Sequence, residues 1–100
     1  MPILLDDNAL KVLKSEQKSW SFETDGTAMN IELKFDGFSS AIGFVVQVAI
    51  IAEKMNHHPD FVNNYKNVTV CWTSHSVGGV TNMDFRLAKR TDECACGKVA

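Results

Sequence analysis

The stretch "SSAIGFVVQVAIIAEKMN", residues 39–56, constrains the fold more than any other part of the chain. It is almost continuously apolar and too long for a strand, so it reads as a helix of about five turns despite its β-branched residues. Gly37 stops whatever precedes it, and Ser39 or Ser40 can cap its start. Pro59 ends it, because proline has no N–H to donate and pushes its predecessor out of the α region. Gln47 breaks the apolar run and Glu53-Lys54 closes it, which we read as too short for a bilayer span. On a helical wheel Ser39, Ser40, Gly43, Gln47 and Lys54 share one arc, interrupted only by Ile50. Phe38, Ile42, Phe44, Val45, Val48, Ile51 and Met55 spread over more than half the circumference. A helix packing on one sheet needs a narrower stripe than that. The excess predicts a second buried face, most economically against another copy of the chain. Cover by the other helices of the same chain is the alternative.

The flanking segments have a different period. Asp6-Asp7 can cap a first helix with Ala9, Leu10 and Leu13 at helical spacing. "SWSFET" alternates Trp20 and Phe22, and "AMNIELKF" alternates Met29, Ile31, Leu33 and Phe35. Period two on both sides of Asp25-Gly26 signals a hairpin. A second hairpin follows the helix, from "PDFVNNY" and "VTVCWTS", with its turn expected at Lys66-Asn67 because asparagine tolerates left-handed geometry. Thr81, with Asp84 three residues on, makes a start resembling a capping box for a last helix that carries Phe85, Leu87 and Ala88. The order is α-β-β-α-β-β-α: an α+β fold, a four-stranded antiparallel sheet with helices packed on it. At 100 residues this is one domain, 1–100.

Charge and cysteine content narrow the function. A net charge of −2 offers no basic footprint for nucleic acid and no electrostatic attraction to a membrane. The start lacks the features of a secretory signal, and three cysteines (Cys71, Cys94, Cys96) are an odd count. Reduced thiols in the cytoplasm are the expectation. Cys94-Ala95-Cys96 is a weak metal signal, and Cys71, inside a strand, reads as an inert structural thiol.

All three histidines bear on one corner. With the turn at Lys66-Asn67, Tyr65 pairs with Val68, Pro59 with Ser74, and one step further His58 faces His75. Directly opposite residues lie ~4.5–5.5 Å apart. A slip of a residue or two would still leave the imidazoles at the same end of the sheet. Glu53 precedes His57 by four residues, so both share a helix face if the last turn persists. A carboxylate there can accept from an imidazole N–H and fix its tautomer. Histidine, with an unperturbed pKa of ~6.5, exchanges protons near neutrality and speeds a step by ~10²–10⁴. Two other readings compete. His57 and His58 can be helix C-terminal residues that favour the dipole. His57, His58 and His75 can also be metal ligands, although adjacent side chains diverge and no familiar ligand spacing is present.

Glu53-x-x-x-His57-His58-Pro59, then Tyr65, His75 and Asp84, together resemble the signature of the pterin-4a-carbinolamine dehydratase family. "GFVVQVAIIAEKMNHHPDF" is likewise similar to that family's central helix and its exit, and the likeness runs from about Phe35 to Ala88. The resemblance implies a dehydratase of 4a-hydroxytetrahydropterin that forms quinonoid dihydropterin in tetrahydrobiopterin recycling, without metal or organic cofactor. It implies His57 and His75 as the acid–base pair, with His58 chiefly holding the substrate. Glu53, Pro59, Ser74, Ser76, Val77 and Asp84 join them around the pterin. Asp84 is also explained as a helix cap, and Met83 stands where family members often carry arginine. The resemblance further implies a homodimer or homotetramer and, as the alternative function, a dimerisation cofactor of a homeodomain transcription factor.

Overall fold

The computed structural model describes residues 8, 11–12, 15, 19–23, 28–74 and 79–95. Positions 8, 11, 12 and 15 are helical, where the first helix is expected. Its Asp6-Asp7 cap and Ala9, Leu10 and Leu13 lie outside the described residues, as do the Asp25-Gly26 turn and Cys96.

Alternation builds the sheet. Strand β1 (Ser21–Phe22) pairs antiparallel with β2 (Met29–Lys34), and β2 pairs antiparallel with β4 (Asn67–Trp72). The latter pairs on its other side with β3 (Asp60–Asn64), giving the order β1-β2-β4-β3. The β2–β4 register sets Met29 opposite Trp72, Ile31 opposite Val70 and Leu33 opposite Val68. All six are buried, so one sheet face is apolar, while Asn30, Glu32 and Lys34 fall on the other.

Helix α1 (Phe38–Met55) and helix α2 (Asn82–Ala95) cover the apolar face. α1 buries Ala41, Phe44, Val48 and Ala52, a narrow stripe at spacings of three and four. Burying a side chain such as Phe44 or Val48 contributes about 1.5–3 kcal/mol. By length and composition α1 does reach the lower limit of a bilayer span, contrary to the expectation from sequence. Here that stripe packs on a sheet. Phe38, Ile42, Val46 and Ile50 form a second, exposed apolar stripe, which α2 does not cover.

Both ends of α1 depart from expectation. Its cap position is Gly37, in extended conformation, and no side chain caps it; Ser39 and Ser40 already lie in the first turn. Its end is set by Asn56, in the left-handed conformation at φ 50°, rather than by Pro59. The Asn56 amide donates to the Glu53 carbonyl at 3.2 Å and the His57 amide to the Ala52 carbonyl at 3.1 Å. That pair of bonds is a Schellman closure, which asparagine can adopt because its short polar side chain tolerates left-handed backbone.

The second hairpin turns one residue earlier than expected. Asn64 pairs with Asn67, so the turn is Tyr65-Lys66, with Tyr65 at φ 57°. The Asn63 side-chain amide donates to the carbonyls of both Tyr65 and Asn67 at 3.2 Å, holding that turn from inside. Continued by three steps, the register sets His57 opposite Ser74, and His58 falls opposite Thr73 instead of His75.

Candidate active site

The Schellman turn swings the chain off the helix axis directly before His57. Its imidazole lies flat against Trp72, ring centres 6.0 Å apart and planes 20° off parallel. The Trp72 indole N–H donates to the Thr91 hydroxyl at 3.0 Å, and that hydroxyl donates to the Leu87 carbonyl at 2.7 Å. The surface under His57 is therefore fixed by α2 as well as by the sheet.

At its polar edge, His57 Nε2 lies 2.6 Å from Asp84 Oδ1. Only 11% of the His57 side chain and none of Asp84 is exposed. The other oxygen, Asp84 Oδ2, accepts the Thr81 backbone N–H at 2.8 Å, the Ser74 hydroxyl at 2.9 Å and the Thr81 hydroxyl at 3.2 Å. Asp84 thus caps α2 with one oxygen and meets His57 with the other, so its role as a cap does not keep it from the histidine corner. Ser74 Oγ also lies 2.8 Å from Thr81 Oγ1 and 3.4 Å from His57 Nε2. No buried side-chain nitrogen or oxygen among the described residues lacks a partner. A half-satisfied buried network would be costly, and this one is complete.

A carboxylate only accepts, so Nε2 carries a proton in this arrangement. Among the described residues no hydrogen-bond partner meets Nδ1, so that ring nitrogen is able to exchange a proton. This is the geometry of an oriented acid–base imidazole.

His58 is placed differently. Its Nε2 lies 3.0 Å from Glu53 Oε1, with 56% and 80% of the two side chains exposed. Glu53 therefore partners His58, not His57. The spacing of four predicted otherwise, and it fails because α1 stops at Met55. The adjacent imidazoles diverge toward different carboxylates, and no group of three potential metal ligands occurs among the described residues.

Of the residues singled out from sequence, His57, Ser74 and Asp84 come together, Glu53 and His58 meet beside them, and Pro59 is half-buried at the entry to β3. His75, Ser76 and Val77 lie outside the described residues. Tyr65 is exposed at the far end of the hairpin, about 20 Å away at ~3.3 Å per strand residue. The sequence reading missed Trp72 and Thr91, and it took Thr81 only as a cap. Trp72 was visible as a strand residue, but its place under His57 follows only from the corrected register. Cys71 sits on the other sheet face. Burial, then the carboxylates of Asp60, Glu23 and Asp84, push its thiol up, which keeps it protonated and a poor nucleophile.

Comparison with known proteins agrees with the signature. The family model described as pterin 4 alpha carbinolamine dehydratase matches residues 3–94. A protein of Mesorhizobium japonicum named "Putative pterin-4-alpha-carbinolamine dehydratase" is 43% identical over 86 residues, 86% of this chain and 88% of its own. A relative of the same name from Rhizobium johnstonii is 37% identical, covering 91% and 90%. A crystal structure described as transcriptional coactivator/pterin dehydratase from Brucella melitensis superposes with a TM-score of 0.87 at 32% identity, over 93% of this chain and 99% of that one. A pterin dehydratase-like protein identified as a RuBisCO assembly factor in the alpha-carboxysome shares the fold at 18% identity, with a TM-score of 0.66 over 77% and 89%. The chain belongs to the pterin 4 alpha carbinolamine dehydratase family, as its histidine signature implied.

Proposed function

We propose that this protein dehydrates 4a-hydroxytetrahydropterin to quinonoid dihydropterin, with His57 as the central acid–base group. The observation that carries this reading is the buried contact of His57 Nε2 with Asp84 Oδ1 at 2.6 Å; among the described residues no hydrogen-bond partner meets Nδ1. As imidazolium, His57 donates its Nδ1 proton to the C4a hydroxyl while the C4a–O bond breaks. The N5 lone pair becomes the second bond of a C4a=N5 double bond, and water leaves. The N5 proton is then taken by a base, a role the family resemblance gives to His75. Neither transfer needs more than an imidazole of suitable protonation state. His58, held by Glu53 at the exposed rim, binds the pterin, and the family resemblance adds Pro59, Ser74, Ser76 and Val77 as pterin-binding residues.

The exposed stripe of Phe38, Ile42, Val46 and Ile50 supports two further parts of the reading. It suits self-association into a dimer or tetramer, since contiguous exposed apolar surface marks interaction sites. It also suits the alternative function, a non-catalytic dimerisation cofactor of a transcription factor; the Brucella melitensis neighbour is described as a transcriptional coactivator. A cytoplasmic setting with reduced thiols belongs to the same reading. The test is the absorbance rise of the quinonoid product from chemically generated 4a-hydroxytetrahydropterin. Catalysis is expected to exceed the spontaneous rate. A folded sample giving only the spontaneous rate rejects the enzyme, and retained partner binding would then favour the alternative.

A further inference from the structure

A cavity whose lining includes none of His57, His58, Ser74 and Asp84 lies between the end of α1 and the exposed face of α2. Its lining residues are Met55, Arg86, Lys89 and Arg90, and its volume is about 310 Å³, at the small end of the range for small-molecule pockets. Arg86 stands three and four residues before Lys89 and Arg90, so the three cations share one exposed helix face. Like charges at that spacing repel one another. Arg90 shares its charge with Glu93, Nε to Oε1 at 3.1 Å. Arg86 and Lys89 have no hydrogen bond or ion pair among the described residues. No carboxylate among the described residues lines the cavity, although the whole chain carries a net charge of −2.

We propose that this groove binds a small organic phosphate monoester. Two uncompensated cations and one shared one match a dianion in charge. The Arg86 guanidinium presents a planar fork suited to phosphate oxygens, and Lys89 adds a compact point charge. The Met55 thioether and the aliphatic stems of the basic residues supply an apolar wall for the organic part. The cavity exceeds what an inorganic ion alone fills, which is why the ligand class includes an organic group.

Phenyl phosphate is the probe, at pH 7.5 and constant ionic strength, followed by NMR of methyl-labelled methionine. The Met55 methyl is expected to shift with saturation, while Met29, buried in the core, stays fixed. Inorganic phosphate and phenol, each lacking half of the recognition, are expected to bind at least about tenfold more weakly, tenfold being the loss of roughly one good contact. Arg86→Gln with Lys89→Gln should raise the apparent Kd for phenyl phosphate by at least about tenfold. Lys34→Gln, on the exposed face of β2 and outside the groove, should change it less than about twofold, since remote surface charges are screened. Non-saturating or uniform shifts, equal binding of phenol, or an undiminished affinity in the folded double variant would each overturn the proposal.

Discussion

His57 sends Nε2 to Asp84 at 2.6 Å with 11% of its side chain exposed, whereas its neighbour His58 sends Nε2 to Glu53 at 3.0 Å with 56% exposed. Both are imidazole–carboxylate pairs on adjacent histidines, and in each the ring atom is Nε2. Depth separates them. Asp84 also accepts from Thr81 and Ser74, so removing it strands several buried donors, while Glu53 at 80% exposure leaves only groups that water can serve. An exposed pair is worth at most about 1 kcal/mol, and breaking a buried one costs roughly 3–5 kcal/mol. The inner pair can hold one orientation and one tautomer; the outer pair can move aside for a ligand.

The largest effect that sharpens this contrast belongs to Asp84→Ala. It removes the acceptor of the His57 ring N–H, the Thr81 backbone N–H and two hydroxyls at once, and a loss of about 3 kcal/mol or more is expected from the urea midpoint. A loss below about 1 kcal/mol would make the two pairs equivalent and break the comparison.

Much of the scaffold for this contrast was legible in the chain, and the pairing of atoms was not. Period-two alternation located β2 and β4, and the length of the apolar run located α1 to within a residue at either end. The hairpin turn was displaced because Asn67 looks like the better left-handed residue. The chain instead places Tyr65 there and holds it with Asn63. Glu53 was matched to the wrong histidine because a spacing of four means contact only while a helix lasts, and Asn56 ends it first. The His57–Asp84 contact spans 27 positions and depends on where the start of α2 docks, which no local pattern encodes. Asp84 showed a second limit, since the cap pattern accounts for one carboxylate oxygen and gives no sign that the other reaches His57.

A smaller effect tests the outer pair. Glu53→Gln is expected to change stability by less than about 1 kcal/mol, and any difference should shrink at high salt as screening removes the attraction. A salt-independent loss of several kcal/mol would show Glu53 to be as deeply committed as Asp84.

The smallest effect concerns a carboxylate of intermediate depth. Asp92 accepts the Trp20 indole N–H at 3.0 Å, and burial pushes its carboxyl up, with the Trp20 N–H pulling the other way. A raised folded value means that the folded state holds the proton more readily. Asp92's contribution to stability is thus complete below the unfolded carboxylate range and is lost as pH rises through the folded value. Asp92→Asn keeps an oxygen for Trp20 and does not titrate. Its stability relative to the parent should therefore improve as pH rises from about 4 to about 7, read from urea midpoints at each pH. A relative stability that falls over that interval would reverse the sign of the burial argument.

Steady-state dehydration kinetics of His57→Ala beside His58→Ala test the central claim most directly, that the buried imidazole does the chemistry and the exposed one holds the pterin. With far-UV circular dichroism unchanged, His57→Ala should lower kcat by about 10²–10⁴. His58→Ala should act mainly through a raised KM, as loss of ground-state binding does. A folded His57→Ala protein that keeps kcat within about twofold, where a positioned acid–base group should matter by orders of magnitude, would contradict the account.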